Sequence, residues 1–234
     1  MGFACDSQYG QPTALQYLVN THQIANAFSL CLDQSGQGGL FMLGGADSST
    51  YTGQFQYTPF IGGLDELYNI WMTDIQVQGQ SVQLDPNVLN GGGSTVVDTG
   101  TNILLLPDQP YQALRQVYSN LCGSLKLPGF CNVANKSATL FDGVCYPLTA
   151  AERASWPDLV LVFQGGLSVP MKANTYIIEN VPGSGQYCLG ITDTGSDGFT
   201  IIGDTTMAGY VTLFDRDNAQ LGFAPVNAAN CKAH

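Results

Sequence analysis

Ser94-Thr95-Val96-Val97-Asp98-Thr99-Gly100-Thr101 is the stretch on which the reading of this chain turns. A β-branched run favours an extended strand. It ends on an acid, and a glycine follows two residues later, where the chain must turn. The segment therefore reads as a short buried strand that delivers one carboxylate to a tight loop. Thr99 and Thr101 supply hydroxyl donors around that carboxylate, and Gly100 lets backbone approach it closely. Hydrolysis driven by a carboxylate needs this placement, with the acid rigid, partly desolvated and oriented by donors. The plainer alternative is an Asp that satisfies its own turn.

Outward from this stretch the pattern is mostly β. Phe28–Leu32 and Gly39–Leu43 read as strands on either side of a polar Asp33–Gly38 turn. Ile70–Val77, Gln78-Gly79 and Val82–Leu84 read as a hairpin, and Asp158–Phe163 followed by Gln164-Gly165-Gly166 as the start of another. Phe199–Ile202, Tyr210–Phe214 and Leu221–Ala224 complete the series. Helical periodicity is confined to Thr13–Asn20 and Gln109–Leu121. The second of these carries Tyr111, Leu114, Val117, Tyr118 and Leu121 on one face, with Pro110 at its front and Gly123 past its end. A second Asp-Thr-Gly, at Asp193-Thr194-Gly195, has no long apolar strand leading into it and reads as a polar loop.

The chain has 234 residues, 44% of them apolar and 11% charged, which excludes a disordered chain and a coiled coil. Net charge is −11, so neither nucleic acid nor an anionic membrane surface is an expected partner. No apolar run approaches the ~18 residues of a membrane-spanning helix. Seven cysteines form no C-x-x-C pair, and His22 and His234 sit near no cysteine cluster; the cysteines point to disulfides in an oxidising compartment, and neither a metal nor an organic cofactor is indicated. The odd count leaves at least one thiol over. Asn135-Lys136-Ser137 is a glycosylation sequon in a Gly/Ser/Asn-rich stretch. The N-terminus lacks the basic and apolar regions of a signal peptide.

Several segments together resemble the pepsin-like aspartic endopeptidases (family A1). Gly44-Gly45-Ala46-Asp47-Ser48-Ser49-Thr50-Tyr51-Thr52-Gly53 is similar to the family's inter-lobe segment. Pro157–Leu159 through Tyr176–Ile178 is similar to its late hairpin. Thr200-Ile201-Ile202-Gly203-Asp204 and Tyr210–Arg216 through Leu221–Pro225 are similar to its C-terminal signature. The resemblance implies an all-β fold with short helices, a pepsin-like lobe related to a double-ψ β-barrel. It assigns residues 1–46 to a remnant of the N-terminal lobe, 47–60 to the inter-lobe segment, 61–225 to the C-terminal catalytic lobe and 226–234 to a tail. On it, Met1-Gly2-Phe3-Ala4 is similar to the end of the first lobe's apolar-Gly strand. Met1 is then an internal methionine, and the chain starts near the middle of the enzyme.

The resemblance also implies roles. Asp98 is one of two facing catalytic aspartates. Thr99 braces the catalytic loops, Gly100 belongs to the same motif, and Thr101 hydrogen-bonds the outer oxygen of Asp98. Asn102 stands where the family has Ser or Thr and contacts substrate, while Leu67 and Tyr68 line the primed-side pocket. Asp193 has no catalytic role. Implied disulfides are Cys145–Cys188, Cys122–Cys131 and Cys31–Cys231, with Cys5 left over. The implied partners are an N-terminal lobe carrying the other aspartate and a peptide or protein substrate. Alone, the chain is expected to be inactive. The implied setting is secreted, or the lumen of an acidic compartment. The rival reading is a non-catalytic relative that binds, inhibits or serves as scaffold.

Overall fold

The computed structural model describes residues 12–33, 38–62, 67–91, 93–131 and 138–232. Its strands are β1 Ala27–Leu32, β2 Gly39–Leu43, β3 Gln56–Pro59, β4 Asn69–Ile70, β5 Met72–Val77, β6 Gln80–Ser81, β7 Thr95–Val97, β8 Leu104–Leu106 and β9 Tyr146–Pro147. They continue with β10 Leu159–Phe163, β11 Ser168–Met171, β12 Ile177–Glu179, β13 Gln186–Leu189, β14 Ile191–Asp193, β15 Thr200–Ile202, β16 Tyr210–Asp215 and β17 Gln220–Pro225. The α-helices are α1 Ala14–Asn20, α2 Pro86–Leu89, α3 Asp108–Leu121, α4 Ala150–Ala154, α5 Ala173–Tyr176 and α6 Asp204–Met207. Only α3 is long, so the fold is mostly β with short helices.

Four sheets organise these strands. One antiparallel sheet runs β2-β1-β16-β17-β3 and joins residues 27–59 to the C-terminal hairpin. A second runs β11-β10-β5-β6 and a third β12-β13-β9. The fourth, β14-β8-β15-β7-β4, is mixed: β15 lies parallel to β7, and β14 parallel to β8. Parallel neighbours need long crossovers and bury both faces. All three residues of β7 are accordingly buried.

Sequence pattern explains much of the packing. In β10, Leu159, Leu161 and Phe163 are buried while Val160 and Val162 are less so, the period-2 signature of a strand with one core face. The apolar face of α3 buries Tyr111, Leu114, Val117, Tyr118 and Leu121. At ~2 kcal/mol per large side chain, that face contributes on the order of 10 kcal/mol before the entropy of ordering is subtracted. Inside the core, the Tyr118 hydroxyl donates to the Tyr176 hydroxyl at 3.0 Å, and the Tyr176 hydroxyl donates to the Pro157 carbonyl. Neither phenol is left unpaired, as burial requires.

Three sequence expectations need correction. Ile70–Val77 is not one strand, because at Trp71 the chain passes from β4 in one sheet to β5 in another. The hairpin after β5 returns through Gln80-Ser81, not Val82–Leu84, because Gln78 and Gly79 both take positive φ (51° and 74°) and turn the chain in two residues. Asp193-Thr194-Gly195 is not a free loop: β14 leads into it, paired in parallel with β8. Three residues are too few for periodicity to reveal a strand. The short helices α2, α4, α5 and α6 escaped the sequence for the same reason. Where they are marked at all, it is by caps such as Asp85 and Thr149, whose side chains accept from Asn87 N and Glu152 N.

Disulfides join Cys31 to Cys231, Cys122 to Cys131 and Cys145 to Cys188, the three pairs that the resemblance implies. Cys5, the Met1–Ala4 segment and the Asn135 sequon lie outside the described residues.

Candidate active site

The site is built at the end of β7. The parallel ladder between β7 and β15 runs Thr95 to Thr200, Val96 to Ile201 and Val97 to Ile202. It continues one step further, with the Asp98 N–H donating to the Ile202 carbonyl at 3.1 Å. Asp98 thus leaves the sheet with its backbone fixed. The Thr101 N–H donates to the Asp98 carbonyl at 3.2 Å and closes the turn.

Both carboxylate oxygens of Asp98 are held. Oδ1 accepts from the Gly100 N–H at 2.9 Å, and Oδ2 accepts from the Thr101 hydroxyl at 2.6 Å. A Cβ on Gly100 would sit 3.2 Å from Oδ1, so a side chain there would crowd the carboxylate. Two donors on separate oxygens fix the plane of the group. Asp98 is half-buried, while Thr99, Gly100 and Asn102 are exposed. A donor-braced carboxylate at the surface end of a rigid strand can bind and activate a water.

Gly203 holds this loop from the other side. A Cβ there would lie 2.1 Å from the Thr101 carbonyl oxygen and 2.7 Å from that of Ile103. Only glycine fits this contact. The next two residues complete the lock: the Asp204 N–H donates to the Thr101 carbonyl at 2.8 Å, and the Thr205 N–H donates to the Asn102 carbonyl at 3.0 Å.

Asp204 is a carboxylate to which sequence reading gave no role. Burial raises its pKa above the usual 3.8, and the nearby charge of Asp98 adds to the rise. The available signal was an acid placed immediately after the glycine of the Ile201-Ile202-Gly203 strand.

Behind β7 stands Asn90, which is fully buried. Its Nδ2 donates to the carbonyls of Met72 (2.8 Å) and Pro86 (2.6 Å). Its Oδ1 accepts from the Met72 N–H (3.0 Å) and the Thr95 hydroxyl (2.8 Å). All four hydrogen-bonding positions of the amide are used, and they tie β5 and α2 to the start of the Asp98 strand. Asn90 carries no motif and was invisible to pattern reading.

Leu67 and Tyr68 are placed differently from one another. Leu67 is 48% exposed, whereas the Tyr68 ring packs in the core against Phe28, Phe60 and Phe214. The Tyr68 carbonyl accepts from the Val97 N–H at 2.9 Å, one residue before Asp98. Asp193 repeats part of the Asp98 geometry, its Oδ1 accepting from the Gly195 N–H at 2.7 Å. It is exposed, and Thr194 turns its hydroxyl away, to the Leu106 carbonyl.

A profile of the eukaryotic aspartyl protease family matches residues 1–226. The chain belongs to that family. Among curated relatives of this protease family, it is 27% identical to pepsin A of Sus scrofa, over 85% of this chain and 46% of that protein. It is 30% identical to pepsin II-2/3 of Oryctolagus cuniculus, over 84% of this chain and 45% of that protein. It is 28% identical to an aspartyl protease family protein 2 of Arabidopsis thaliana, over 89% of this chain and 42% of that protein. The chain therefore spans about half the length of the curated relatives it matches. Among its described residues, no helix is long and apolar enough to cross a membrane.

Proposed function

We propose that this chain supplies one of the two aspartates of an acid endopeptidase, and that the other comes from an N-terminal lobe. The supporting observation is the double bracing of Asp98 by Gly100 and Thr101 at the end of a fully buried strand. Two facing carboxylates at close range cannot both ionise cheaply, so they share one proton; aspartic proteases are the standard illustration of that effect. The ionised member takes a proton from a water as its oxygen attacks the scissile carbonyl carbon. The protonated member hydrogen-bonds the carbonyl oxygen, which becomes a hydroxyl of the tetrahedral intermediate. Collapse of that intermediate breaks the C–N bond, and the leaving nitrogen takes up a proton from the pair.

One carboxylate can neither share a proton nor bracket a water from both sides, so the chain alone is proposed to be inactive. Three disulfides and an acidic surface suit an oxidising, acidic lumen. The test is cleavage of a denatured protein at acid pH, by the chain alone and by the chain joined to an N-terminal lobe. Activity should require the added lobe and vanish in Asp98→Asn. Asp98-dependent cleavage by the chain alone would instead indicate a homodimer, and retained activity in Asp98→Asn would overturn the assignment.

A further inference from the structure

A cavity of about 650 Å³ opens beside the Asp98 loop, where Asn102 and Asp204 line it, and α4 contributes Arg153 to its wall. That size falls in the range of small-ligand and side-chain pockets. The Arg153 guanidinium lies over the Tyr187 ring, 4.2 Å from its centroid. Stacking of this kind holds the planar group while leaving its edge donors available. The Nε of Arg153 is buried and has no hydrogen-bond partner.

Arg153 is also without a carboxylate. Neither salt bridge among the described residues includes it, although Asp33, Glu179 and Asp204 line the same cavity. Glu179 instead accepts from the Gly185 N–H of its own hairpin, at 2.7 Å. The protein has built a stacked, partly buried cation into a cavity wall and left its donors unused. The group that fits a guanidinium edge best is a carboxylate, which takes two parallel N–H donors.

We propose that this cavity is a substrate-recognition subsite for an aspartate or glutamate side chain of the bound peptide, whose carboxylate pairs with Arg153. The proposal deepens the endopeptidase reading and rests on it, because Asn102 and Asp204 connect the cavity to the Asp98 loop. The rival occupant is a basic side chain, drawn by the three lining acids.

The test reads binding, so it does not depend on catalysis. The Nε–Hε resonance of Arg153 is followed in the ¹⁵N-labelled chain at mildly acidic pH. N-acetyl-glutamate N′-methylamide is titrated in, followed by its glutamine and lysine counterparts. The glutamate compound should shift the Arg153 resonance and bind at least about tenfold more tightly than the glutamine compound. Arg153→Gln should abolish that preference, and Arg153→Lys, which keeps charge but loses the fork and the stack, should reduce it. Equal binding of the glutamate and glutamine compounds would overturn the proposal. So would tightest binding of the lysine compound, or an undiminished glutamate preference in Arg153→Gln. Spectral dispersion reports whether Arg153→Gln folds; if it does not, the parent comparison and Arg153→Lys decide. Asp98→Asn should keep the glutamate preference whether or not any form of the protein cleaves peptides, which separates failure of this proposal from failure of the endopeptidase reading.

Discussion

Replacing Asn90 by Ala tests how the Asp98 strand is held. The side chain is fully buried and makes four hydrogen bonds of 2.6–3.0 Å. Truncation takes away the acceptor for the Met72 N–H and the Thr95 hydroxyl, and both residues are fully buried. An orphaned buried polar group costs about 1–3 kcal/mol. Two of them, with a small cavity added, give an expected loss of about 4 kcal/mol. At roughly 2–4 °C per kcal/mol for a chain of this size, the melting temperature should fall by about 8–16 °C. Thr95→Val is the control. It removes one of the four bonds and leaves Oδ1 with the Met72 N–H, so it should cost only about 1 kcal/mol.

Urea unfolding followed by tryptophan fluorescence measures both variants, since Trp71 adjoins Met72 and Trp156 is buried. Hydrogen exchange adds a local reading: the Val97 and Asp98 amides, which donate to Tyr68 and Ile202, should lose protection in Asn90→Ala. If Asn90→Ala costs no more than Thr95→Val, the amide is not a junction between β5, α2 and β7. Unchanged protection at Val97 and Asp98 would sever Asn90 from the site even if stability fell.

Three further outcomes are expected. Gly203→Ala should destabilise the protein by several kcal/mol and loosen the Asp98 loop, because its Cβ would meet the Thr101 carbonyl oxygen at 2.1 Å; wild-type stability would refute the contact. Asp204 has a raised folded pKa, so its contribution to stability is complete below the ordinary carboxylate pKa and is lost as pH rises through the folded value. Asp204→Asn should therefore gain stability relative to wild type above about pH 4 and show no gain near pH 2, measured as melting temperature against pH. Cys231→Ser opens a bridge spanning 200 residues and should cost about 5 kcal/mol on the chain-entropy model, against about 2–3 for opening the nine-residue Cys122–Cys131 loop; equal losses would contradict that ordering.

What the sequence revealed and what it hid follow from how each feature is encoded. β10 and α3 were legible because their apolar residues recur with a period over five or fourteen residues. Asp98 was legible because a β-branched run, an acid and a glycine form a local pattern. Asn90, Asp204 and Arg153 were not, because what matters about each lies across the fold. Asn90 meets Met72, 18 residues away in sequence, and Arg153 meets Tyr187. A polar residue whose partners are distant has no periodic or motif signature. The β14 strand failed for a related reason: three residues paired in parallel with β8 depend on tertiary context, not on their own propensity.

Asp98 and Asp204 invite the question of whether one lobe already holds a proton-sharing pair. Their surroundings argue otherwise. Both Asp98 oxygens are engaged by Gly100 and Thr101, so the hydrogen bonds that orient it come from its own loop. Asp204 begins α6, with its backbone tied to the Thr101 carbonyl and its side chain at the cavity wall. What links the two acids is charge: burial does most of the work of raising the Asp204 pKa, and Asp98 adds to it. Both effects favour the neutral form of Asp204, which keeps a second negative charge away from the loop. A proton-sharing partner must instead face the braced carboxylate across a gap that admits a water. On the proposed reading that carboxylate belongs to a second lobe, while Asp204 stays a half-buried acid at the cavity wall.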